Sequence, residues 1–328
     1  MKLLVTGGLG FIGSNFLLYT LKKFSKFNII NIDAEFYGSN KLSLEEISNF
    51  ENYEFVKGNI NDSSIVDKLV SDCDAVINFA AESFVDRSIA DAKPFLHSNI
   101  DGVYTILESI RKYKKKFLQI STDEVYGNLK TETAVENFSY NPSSPYAATK
   151  ACAEMLVNSY HITYACDTLI TRCTNNFGPR QFPEKLIPKT ILLAEGNKKI
   201  PVYGSGKNLR DWLHVDDHCE AILSVLQHGK SGQSYNISSN NEIDNLTIIN
   251  KILSIMDKSE NLIEFVEDRP GHDFRYSMNS DKLRNELGWK PKIKFDDGLK
   301  NTIDWYLSNP HWWKDLSEKI FEHTPWKK

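Results

Sequence analysis

The sequence lacks three features that would place it in other classes of protein. It has no apolar run long enough to span a membrane, and its five cysteines have no regular spacing. It also has no basic excess, since 39 Lys and Arg stand against 43 Asp and Glu, for a net charge of -4. These absences argue against a membrane protein, a disulfide-stabilised secreted domain and a nucleic-acid-binding surface. Because the first residues run directly into a predicted strand instead of a signal peptide, we expect a cytoplasmic protein with free, buried thiols.

The order of predicted elements indicates an α/β protein. The first half alternates short apolar runs with longer amphipathic ones, which is typical of βαβ units on a parallel sheet. After about residue 175, prolines and glycines become frequent, and short helices such as 217–227 and 246–256 alternate with brief strands. We predict a Rossmann-type doubly wound parallel sheet in residues 1–175 and a smaller C-terminal α/β substrate lobe in 176–328. The boundary is approximate, since chain elements can cross it, and ligands are expected between the lobes. Strands are predicted at 2–6, 28–32, 53–57, 75–79, 117–120 and 169–173, and long helices at 11–23, 94–113 and 145–164.

A glycine-rich turn near the start of the chain predicts a dinucleotide site. Gly7, Gly10 and Gly13 follow the first predicted strand and open the first helix. Glycines permit a tight turn and a close approach of the backbone to a pyrophosphate, which then faces the N–H groups of the helix. Asp33 ends the second strand, where a carboxylate can accept hydrogen bonds from ribose hydroxyls and would repel a 2′-phosphate. The sequence therefore predicts NAD in preference to NADP.

A second group of residues predicts acid–base chemistry beside the nicotinamide. Tyr146 and Lys150 lie one helical turn apart, so the lysine ammonium can stabilise the tyrosine phenolate while a sugar hydroxyl loses its proton. Thr122, Asp123 and Glu124 follow an apolar strand and are expected at its carboxyl end. Adjacent carboxyls can supply a further acid and a further base if their pKa values are pushed apart. A plain dehydrogenase would not need this second pair.

Together these segments resemble the extended short-chain dehydrogenase/reductase superfamily and, within it, the dTDP-glucose 4,6-dehydratase family. The resemblance runs from Gly7 to Trp313 and includes long stretches in the C-terminal lobe that begin at Asn175, Arg210 and Asp268. It implies an NAD-dependent lyase of deoxysugar biosynthesis, such as the rhamnose pathway. The implied reaction oxidises C4 of dTDP-glucose, eliminates water across C5 and C6, and returns the hydride to C6. The product is dTDP-4-keto-6-deoxyglucose, and NAD stays bound throughout.

The resemblance also implies a role for each matching residue. Tyr146 takes the proton of the 4-hydroxyl with Thr122 on the same oxygen, Glu124 removes the C5 hydrogen, and Asp123 protonates the departing 6-hydroxyl. Arg210 and Arg269 suit the substrate diphosphate, because a guanidinium matches paired phosphate oxygens. The residues expected at NAD are Gly7, Gly10, Phe11, Ile12, Gly13, Asp33, Asn59, Ile60, Ala80, Ala81, Ser98, Tyr146, Lys150 and Asn176. Those expected at the nucleotide sugar are Ser83, Thr122, Asn175, Lys185, Leu186, Pro201, Tyr203, Arg210, Asn245, Arg269 and His272.

Two positions depart from the pattern of the family. Asn59 stands where the family usually has Asp, and its amide oxygen can still accept a hydrogen bond from the adenine amino group. Phe84 stands where the family usually has His, which removes a polar group near the active site and leaves the identity of the sugar nucleotide open. His214 and His218 are spaced i, i+4, but further ligands are lacking, so no metal site is predicted.

Three alternatives stay open. The same dehydration can act on UDP-glucose or UDP-N-acetylglucosamine. A UDP-sugar 4-epimerase would share the glycine turn and the Tyr–Lys pair, but it needs no acidic pair. A non-catalytic dinucleotide sensor would be free to lose the tyrosine or the lysine. The resemblance also implies a homodimer through the helices that begin near Pro94 and Pro145, with the candidate contacts Ile100, Val103, Leu107, Met155 and Leu156.

Overall fold

A parallel sheet forms the centre of the computed structural model, which describes residues 1–316, 318–321 and 326–327. Within those residues the sheet has seven strands in the order β10-β6-β5-β4-β1-β2-β3, and every neighbouring pair is parallel. The predicted Rossmann-type fold class is confirmed, because the order 3-2-1-4-5-6 is that of a doubly wound dinucleotide-binding sheet. The strands are β1 (Lys2–Thr6), β2 (Asn28–Asp33), β3 (Tyr53–Lys57), β4 (Ala75–Asn78), β5 (Lys116–Thr122), β6 (Thr168–Cys173) and β10 (Ser234–Ile237).

Helices cover both faces of this sheet, because successive side chains of its buried strands point to opposite faces. Leu3 of β1 joins the core under α1 and α8, whereas its neighbour Leu4 joins the core under α2, α5 and α6. The inner strands β1 and β4 are therefore buried apolar runs, as the sequence predicts, whereas the edge strand β3, which was also predicted to be buried, is partly exposed. The helices are α1 (Phe11–Lys23), α2 (Ser63–Ser71), α3 (Val85–Ala90), α4 (Lys93–Leu96), α5 (Gly102–Tyr113), α6 (Pro145–Tyr164), α7 (Leu186–Glu195), α8 (Val215–His228), α9 (Asn245–Ile255), α10 (Asp281–Leu287), α11 (Phe295–Ser308) and α12 (Pro310–Trp313).

The helix predicted over 94–113 is wrong in one respect, since a π-helical turn at His97–Asp101 divides α4 from α5. Asn99 within this turn exchanges two hydrogen bonds with the backbone of Glu82, at 2.9 Å and 3.0 Å. Turns of this kind recur at functional sites because they re-aim side chains. Here the turn fixes the chain that follows β4 and lets Ser98 face the cleft described below.

The C-terminal lobe contains two small sheets and its own core. The strands β7 (Asn175–Phe177), β9 (Leu209–His214) and β11 (Glu242–Asp244) form one sheet, and β8 (Ile200–Tyr203) pairs with β12 (Ile263–Val266) in the other. The helices α7, α9 and α11 pack around them. The chain returns to the main sheet with β10, and α8 packs against α1. The division at residue 175 stays a prediction. Among the described residues, no helix is both long and apolar enough to cross a membrane.

Candidate active site

Two adjoining clefts lie at the carboxyl ends of the central strands. The first cleft is lined by the glycine turn, Asp33 and the ends of β4 and β5, and every residue predicted to contact NAD lines it. The second cleft lies between α3 and the C-terminal lobe. Four residues line both clefts and so mark their junction: Phe84, Glu124, Asn175 and Lys185.

The glycine turn leaves room for a ligand only because its residues lack a Cβ. A Cβ on Gly7, whose φ is +70°, would lie 2.6 Å from the Cα of Ala80, and one on Gly13 would lie 2.4 Å from the carbonyl oxygen of Gly7. Gly10 is the N-cap of α1 and has no side chain that could occupy the first N–H groups of the helix. The helix start therefore fits a pyrophosphate, which is what NAD would present there.

Asp33 is the last residue of β2 and is buried at the edge of the first cleft. Its Oδ2 accepts a hydrogen bond from the Leu9 N–H at 2.9 Å, and its Oδ1 accepts one from the Glu35 N–H at 2.8 Å. Burial raises the pKa of Asp33, and the two N–H groups oppose that rise. The carboxylate is thus fixed in place while each oxygen keeps a lone pair for a ribose hydroxyl.

Asn59 also lines the first cleft, and part of its amide is already used. Its Oδ1 accepts a hydrogen bond from the Asn61 N–H at 3.0 Å. An amide oxygen has two lone pairs, so one remains for an adenine amino group. The contact with adenine stays a prediction.

Asp123 lies just beyond β5, where Thr122 ends the strand and caps the 3₁₀ turn Asp123–Tyr126. The Thr122 hydroxyl donates a hydrogen bond to Asp123 Oδ1 at 3.1 Å and accepts one from the Glu124 N–H at 3.3 Å. Asp123 is 4% exposed, and its Oδ2 has no hydrogen-bond partner within the described part of the chain. Burial, followed by the neighbouring charge of Glu124, raises the pKa of Asp123 to about 8. Asp123 is therefore a neutral acid with a proton to give near neutral pH.

Glu124 has the same chemistry but a different electrostatic environment. Burial raises its pKa, whereas the cations Arg269, Lys185 and Arg210 oppose that rise. For Asp123 only Arg210 is a cation among the principal influences. The two adjacent carboxyls therefore differ as the sequence requires, with Asp123 suited to be the acid and Glu124 the base.

Lys150 lies on α6, which begins after Ser144 caps its first turn by accepting a hydrogen bond from the Ala147 N–H at 3.1 Å. The Lys150 ammonium donates a hydrogen bond to the carbonyl oxygen of Ile120 at 2.7 Å. Burial lowers the pKa of Lys150 to about 8, and the charge of Glu154 one turn further along opposes the fall. The lysine therefore lies at the floor of the first cleft, anchored to the strand that carries the acidic pair.

Tyr146 differs from the sequence expectation in one respect. Its pKa is raised well above 10, first by burial and then by the charges of Glu124, Cys173 and Asp123, while a hydrogen bond with Thr122 lowers it. Stabilisation of the phenolate by Lys150, which the sequence predicts, is not among the largest influences on this phenol. The Lys150 ammonium donates to the carbonyl oxygen of Ile120 instead, and the raised pKa keeps the proton on Tyr146 near neutral pH.

The two arginines predicted at the diphosphate line the second cleft but have different freedom. Arg210 is buried and donates to the carbonyl oxygens of Leu209 at 2.7 Å and Asp273 at 2.9 Å. Arg269 donates from Nη1 to Asp86 Oδ1 at 2.6 Å, whereas its buried Nε has no partner in the described residues. Arg269 is therefore the arginine with a buried donor left over for an anion.

His272 lies in the second cleft, and its charge state differs from that of the arginines beside it. Its Nδ1 is 2.6 Å from Asp268 Oδ1. Burial, followed by the positive charges of Arg269 and Arg210, lowers the pKa of His272 to about 4. The ring is neutral near pH 7, so it can recognise a ligand by hydrogen bonding but not by charge.

The structure thus brings every predicted catalytic, cofactor and substrate residue to one of the two clefts. Their contacts with ligands stay predictions. The two histidines spaced i, i+4 instead make contacts inside the protein, since the Asp216 N–H donates to His214 Nδ1 at 3.2 Å and His218 Nδ1 lies 3.0 Å from Asn176 Oδ1.

Some residues of the site are missed by sequence reasoning. Tyr276 donates a hydrogen bond to Asp273 Oδ2 at 2.7 Å, and its hydroxyl lies 3.5 Å from Glu124 Oε2. Asp86 holds Arg269, as described above. Both residues lie within the range of the family resemblance, and Tyr276 follows shortly after the start of the stretch at Asp268. That proximity was the only indication in the sequence that they belong to the site. Their roles depend on side-chain directions across two lobes, which a linear pattern does not contain.

A model of the GDP-mannose 4,6 dehydratase family matches residues 4–302 of the chain. The match covers far more than half of the chain, including the glycine turn, the acidic pair and every residue that lines the second cleft. The chain therefore belongs to the GDP-mannose 4,6 dehydratase family, and it has the Rossmann fold described above.

Individual relatives are similar over nearly the whole chain. The low-salt glycan biosynthesis protein Agl12 of Haloferax volcanii is 48% identical over 310 residues, which is 94% of this chain and 99% of the relative. A dTDP-glucose 4,6-dehydratase of Streptomyces niveus is 43% identical, with 96% of each chain covered. The crystal structure of a dTDP-glucose 4,6-dehydratase from Bacillus anthracis in complex with NAD is 44% identical, has a TM-score of 0.91, and covers 97% of this chain and 100% of its own.

Proposed function

We propose that this protein is an NAD-dependent dTDP-glucose 4,6-dehydratase that forms dTDP-4-keto-6-deoxyglucose. The observation that carries the proposal is the pair Asp123 and Glu124 in the first cleft beside Tyr146, with Glu124 also at the junction with the second cleft. The pKa of Asp123, about 8, keeps a proton on that residue at neutral pH, while three cations oppose protonation of Glu124. An epimerase or a plain dehydrogenase has no step that needs both groups.

Oxidation at C4 comes first. NAD, when bound, supplies a hydride acceptor and later returns the same hydride, so the reaction is redox-neutral overall. Tyr146 takes the proton of the 4-hydroxyl, and Thr122 hydrogen-bonds the same oxygen. Since the pKa of Tyr146 is raised well above 10, its phenolate would be a strong base. The positive charge of an oxidised nicotinamide would favour that phenolate, whereas burial alone disfavours it.

Elimination uses the acidic pair. The 4-ketone acidifies the C5 hydrogen, which Glu124 removes as a proton, while Asp123 gives its proton to the departing 6-hydroxyl. One water leaves, and an enone remains. After hydride returns to C6, Glu124 gives its proton back to C5. At the end of the cycle Asp123 has lost a proton and Tyr146 has gained one. Before the next turnover, one proton has to pass from Tyr146 to Asp123 through the cleft or through solvent.

Recognition of the nucleotide is proposed for the second cleft. Arg269 and Arg210 would neutralise the diphosphate, and Lys185 at the junction would lie near the first phosphate or the sugar. Support for dTDP-glucose as the substrate comes from relatives that carry this activity in their names. UDP-glucose and UDP-N-acetylglucosamine are the competing substrates, and turnover of the purified protein with each of the three distinguishes them.

The variant Glu124→Gln tests the assignment of the base. We expect C4 oxidation to persist, seen as NADH absorbance with dTDP-glucose, while exchange of the C5 hydrogen with D₂O and formation of the 4-keto-6-deoxy product fall at least about 100-fold, since a general base is lost. The exposed residue Glu264 offers a matched control as Glu264→Gln, which should behave as wild type.

Two results would overturn the proposal. Undiminished product formation by Glu124→Gln would remove this residue from the role of base. Conversion of dTDP-glucose by the wild-type protein to dTDP-galactose alone would identify an epimerase.

We also propose that the protein forms a homodimer in the cytoplasm. Val103 and Leu107, which the sequence offered as interface contacts, are 1% and 0% exposed and belong to the core, because α5 turns that face toward the sheet. Other apolar side chains on α4, α5 and α6 are exposed, so a second copy of the chain can pack against them. Light scattering of the purified protein would measure the mass of the assembly. The exposed ones are Leu96, Tyr104, Met155, Ile162 and Tyr164.

A further inference from the structure

Three aromatic side chains meet at the rim of the first cleft, and we call them the aromatic strap: Tyr37, Phe84 and Phe182. Their ring centroids are 5.2 Å apart for Tyr37 and Phe84, 5.0 Å for Tyr37 and Phe182, and 5.7 Å for Phe84 and Phe182. All three pairs are edge-to-face, which is a favourable arrangement of aromatic rings. Each ring therefore stabilises the position of the other two.

The aromatic strap joins three segments that are distant in the sequence. Tyr37 lies in the loop after β2, on the side of the cleft where Asp33 stands. Phe84 is the N-cap residue of α3, and Phe182 lies shortly before α7 of the C-terminal lobe. The strap consequently links the loop after β2 to the second lobe at one wall of the first cleft, where Phe84 and Phe182 also pack against Ile320.

Polar contacts fix the Tyr37 end of the strap. The Tyr37 hydroxyl donates a hydrogen bond to the Glu184 carboxylate, and Arg87 Nη2 donates to the same carboxylate at 3.0 Å. The Arg87 guanidinium carbon lies 3.6 Å from the centroid of the Tyr37 ring, within range for a cation–π interaction. Tyr37 is 39% exposed, so this end of the strap is the one that faces water.

Phe84 is the most buried member of the strap, since it is 6% exposed. Gly38 has a φ of +92°, and a Cβ there would lie 2.8 Å from Cε2 of Phe84, so the ring is in close contact with the loop backbone. On its other side, the Lys185 ammonium lies 4.8 Å from the ring centroid. Phe84 therefore contacts the loop over the first cleft and also a cation of the second.

We propose that Phe84 is a positioning residue that retains the bound dinucleotide, because it holds Tyr37 and Gly38 of the loop that lines the first cleft beside Asp33, and this loop must move before NAD can leave. The proposal rests on the proposed function, since a redox-neutral reaction regenerates NAD at every turnover and gains nothing from releasing it. A histidine at this position would place ring nitrogens, which need polar partners, against the rings of Tyr37 and Phe182. The strap therefore depends on the phenylalanine that this chain has at position 84.

The rate of NAD release tests the proposal without any sugar nucleotide. Holoenzyme is transferred to buffer free of NAD, and released NAD is converted to NADH by an excess of alcohol dehydrogenase and ethanol. Phe84→Leu keeps an apolar side chain but removes two ring–ring contacts, so we expect release to be about tenfold faster than in wild type. Tyr37→Leu, at a residue that is 39% exposed, should accelerate release in the same direction and decides the matter if Phe84→Leu does not fold.

The matched control is Phe27→Leu. Phe27 is fully buried, packs edge-to-face on Phe24 at 6.2 Å, and lines neither cleft. It should lower the melting temperature while leaving NAD release within about twofold of wild type. Release rates for Phe84→Leu or Tyr37→Leu that match that control would overturn the proposal. A protein that retains NAD normally but forms no 4-keto product would instead count against the dehydratase assignment alone.

Discussion

Replacement of Asp123 by Asn should make the protein more stable at neutral pH and above, although it removes a catalytic acid. The pKa of this buried carboxyl rises from its ordinary value of 3.8 to about 8 in the folded protein. Because the folded-state pKa is raised, the folded state binds a proton that the unfolded state releases. Stability is therefore lost progressively as the pH rises from about 4 to about 8.

The magnitude follows from the pKa difference. Each unit corresponds to about 1.4 kcal/mol, so the full rise would cost about 5 kcal/mol at pH 8 if the surroundings stayed rigid. Entry of water and rearrangement of neighbouring side chains reduce this cost, and we expect about 2–4 kcal/mol of added stability for Asp123→Asn at pH 8. At pH 4 both side chains are neutral in the folded state, so the two proteins should be almost equally stable.

Urea unfolding at several pH values between 5 and 8 measures the effect. The exposed residue Asp304 gives a control, because Asp304→Asn should change stability by less than about 0.5 kcal/mol at every pH. In parallel, kcat of Asp123→Asn should fall at least about 100-fold, since the proton donor for the 6-hydroxyl is lost. If the stability difference between Asp123→Asn and wild type stays constant with pH, the carboxyl does not titrate where its environment indicates, and the acid assignment fails with it.

Two further substitutions test the cofactor turn and a buried ion pair. Gly13→Ala places a Cβ 2.4 Å from the Gly7 carbonyl oxygen, so α1 must move. The affinity for NAD, measured by calorimetry, should therefore fall at least about tenfold. In the control Gly196→Ala the nearest atoms to the new Cβ are 3.5 Å away, an ordinary contact distance, so this variant should bind NAD as wild type does. Arg172→Met leaves Glu154 buried without the guanidinium that now lies 2.6 Å away, and urea unfolding should show a loss of about 3–5 kcal/mol. A second change, Glu154→Leu, should restore this loss only in part, because Ser121 and Tyr140 then lose their acceptor. An unchanged free energy of unfolding in Arg172→Met would mean that water or another group already satisfies that carboxylate.

Sequence patterns predicted the part of this molecule that depends on local chemistry. The strand, glycine turn and helix from Lys2 to Lys23 were predicted at their observed bounds, because apolar periodicity and glycine spacing act over short distances. The π-helical turn at His97–Asp101 was not predicted. Asn99 in this turn forms hydrogen bonds with Glu82, a residue outside the helix. The spacing of apolar residues along a helix does not reveal a turn that contains one extra residue.

For the same reason, the sequence identifies the catalytic residues but does not predict their protonation states. Asp123 and Glu124 are neighbours on one turn, and nothing in their order says which is the acid. The difference arises from Lys185 and Arg269, which come from the C-terminal lobe and oppose protonation of Glu124, whereas Arg210 opposes protonation of both carboxyls. Those cations are also the ones suited to the substrate phosphates, so a bound diphosphate would offset part of their charge and raise the pKa of Glu124. Substrate binding would thus strengthen the base at the moment when the C5 proton has to be removed, and the lobe that recognises the nucleotide would also tune the chemistry on the sugar.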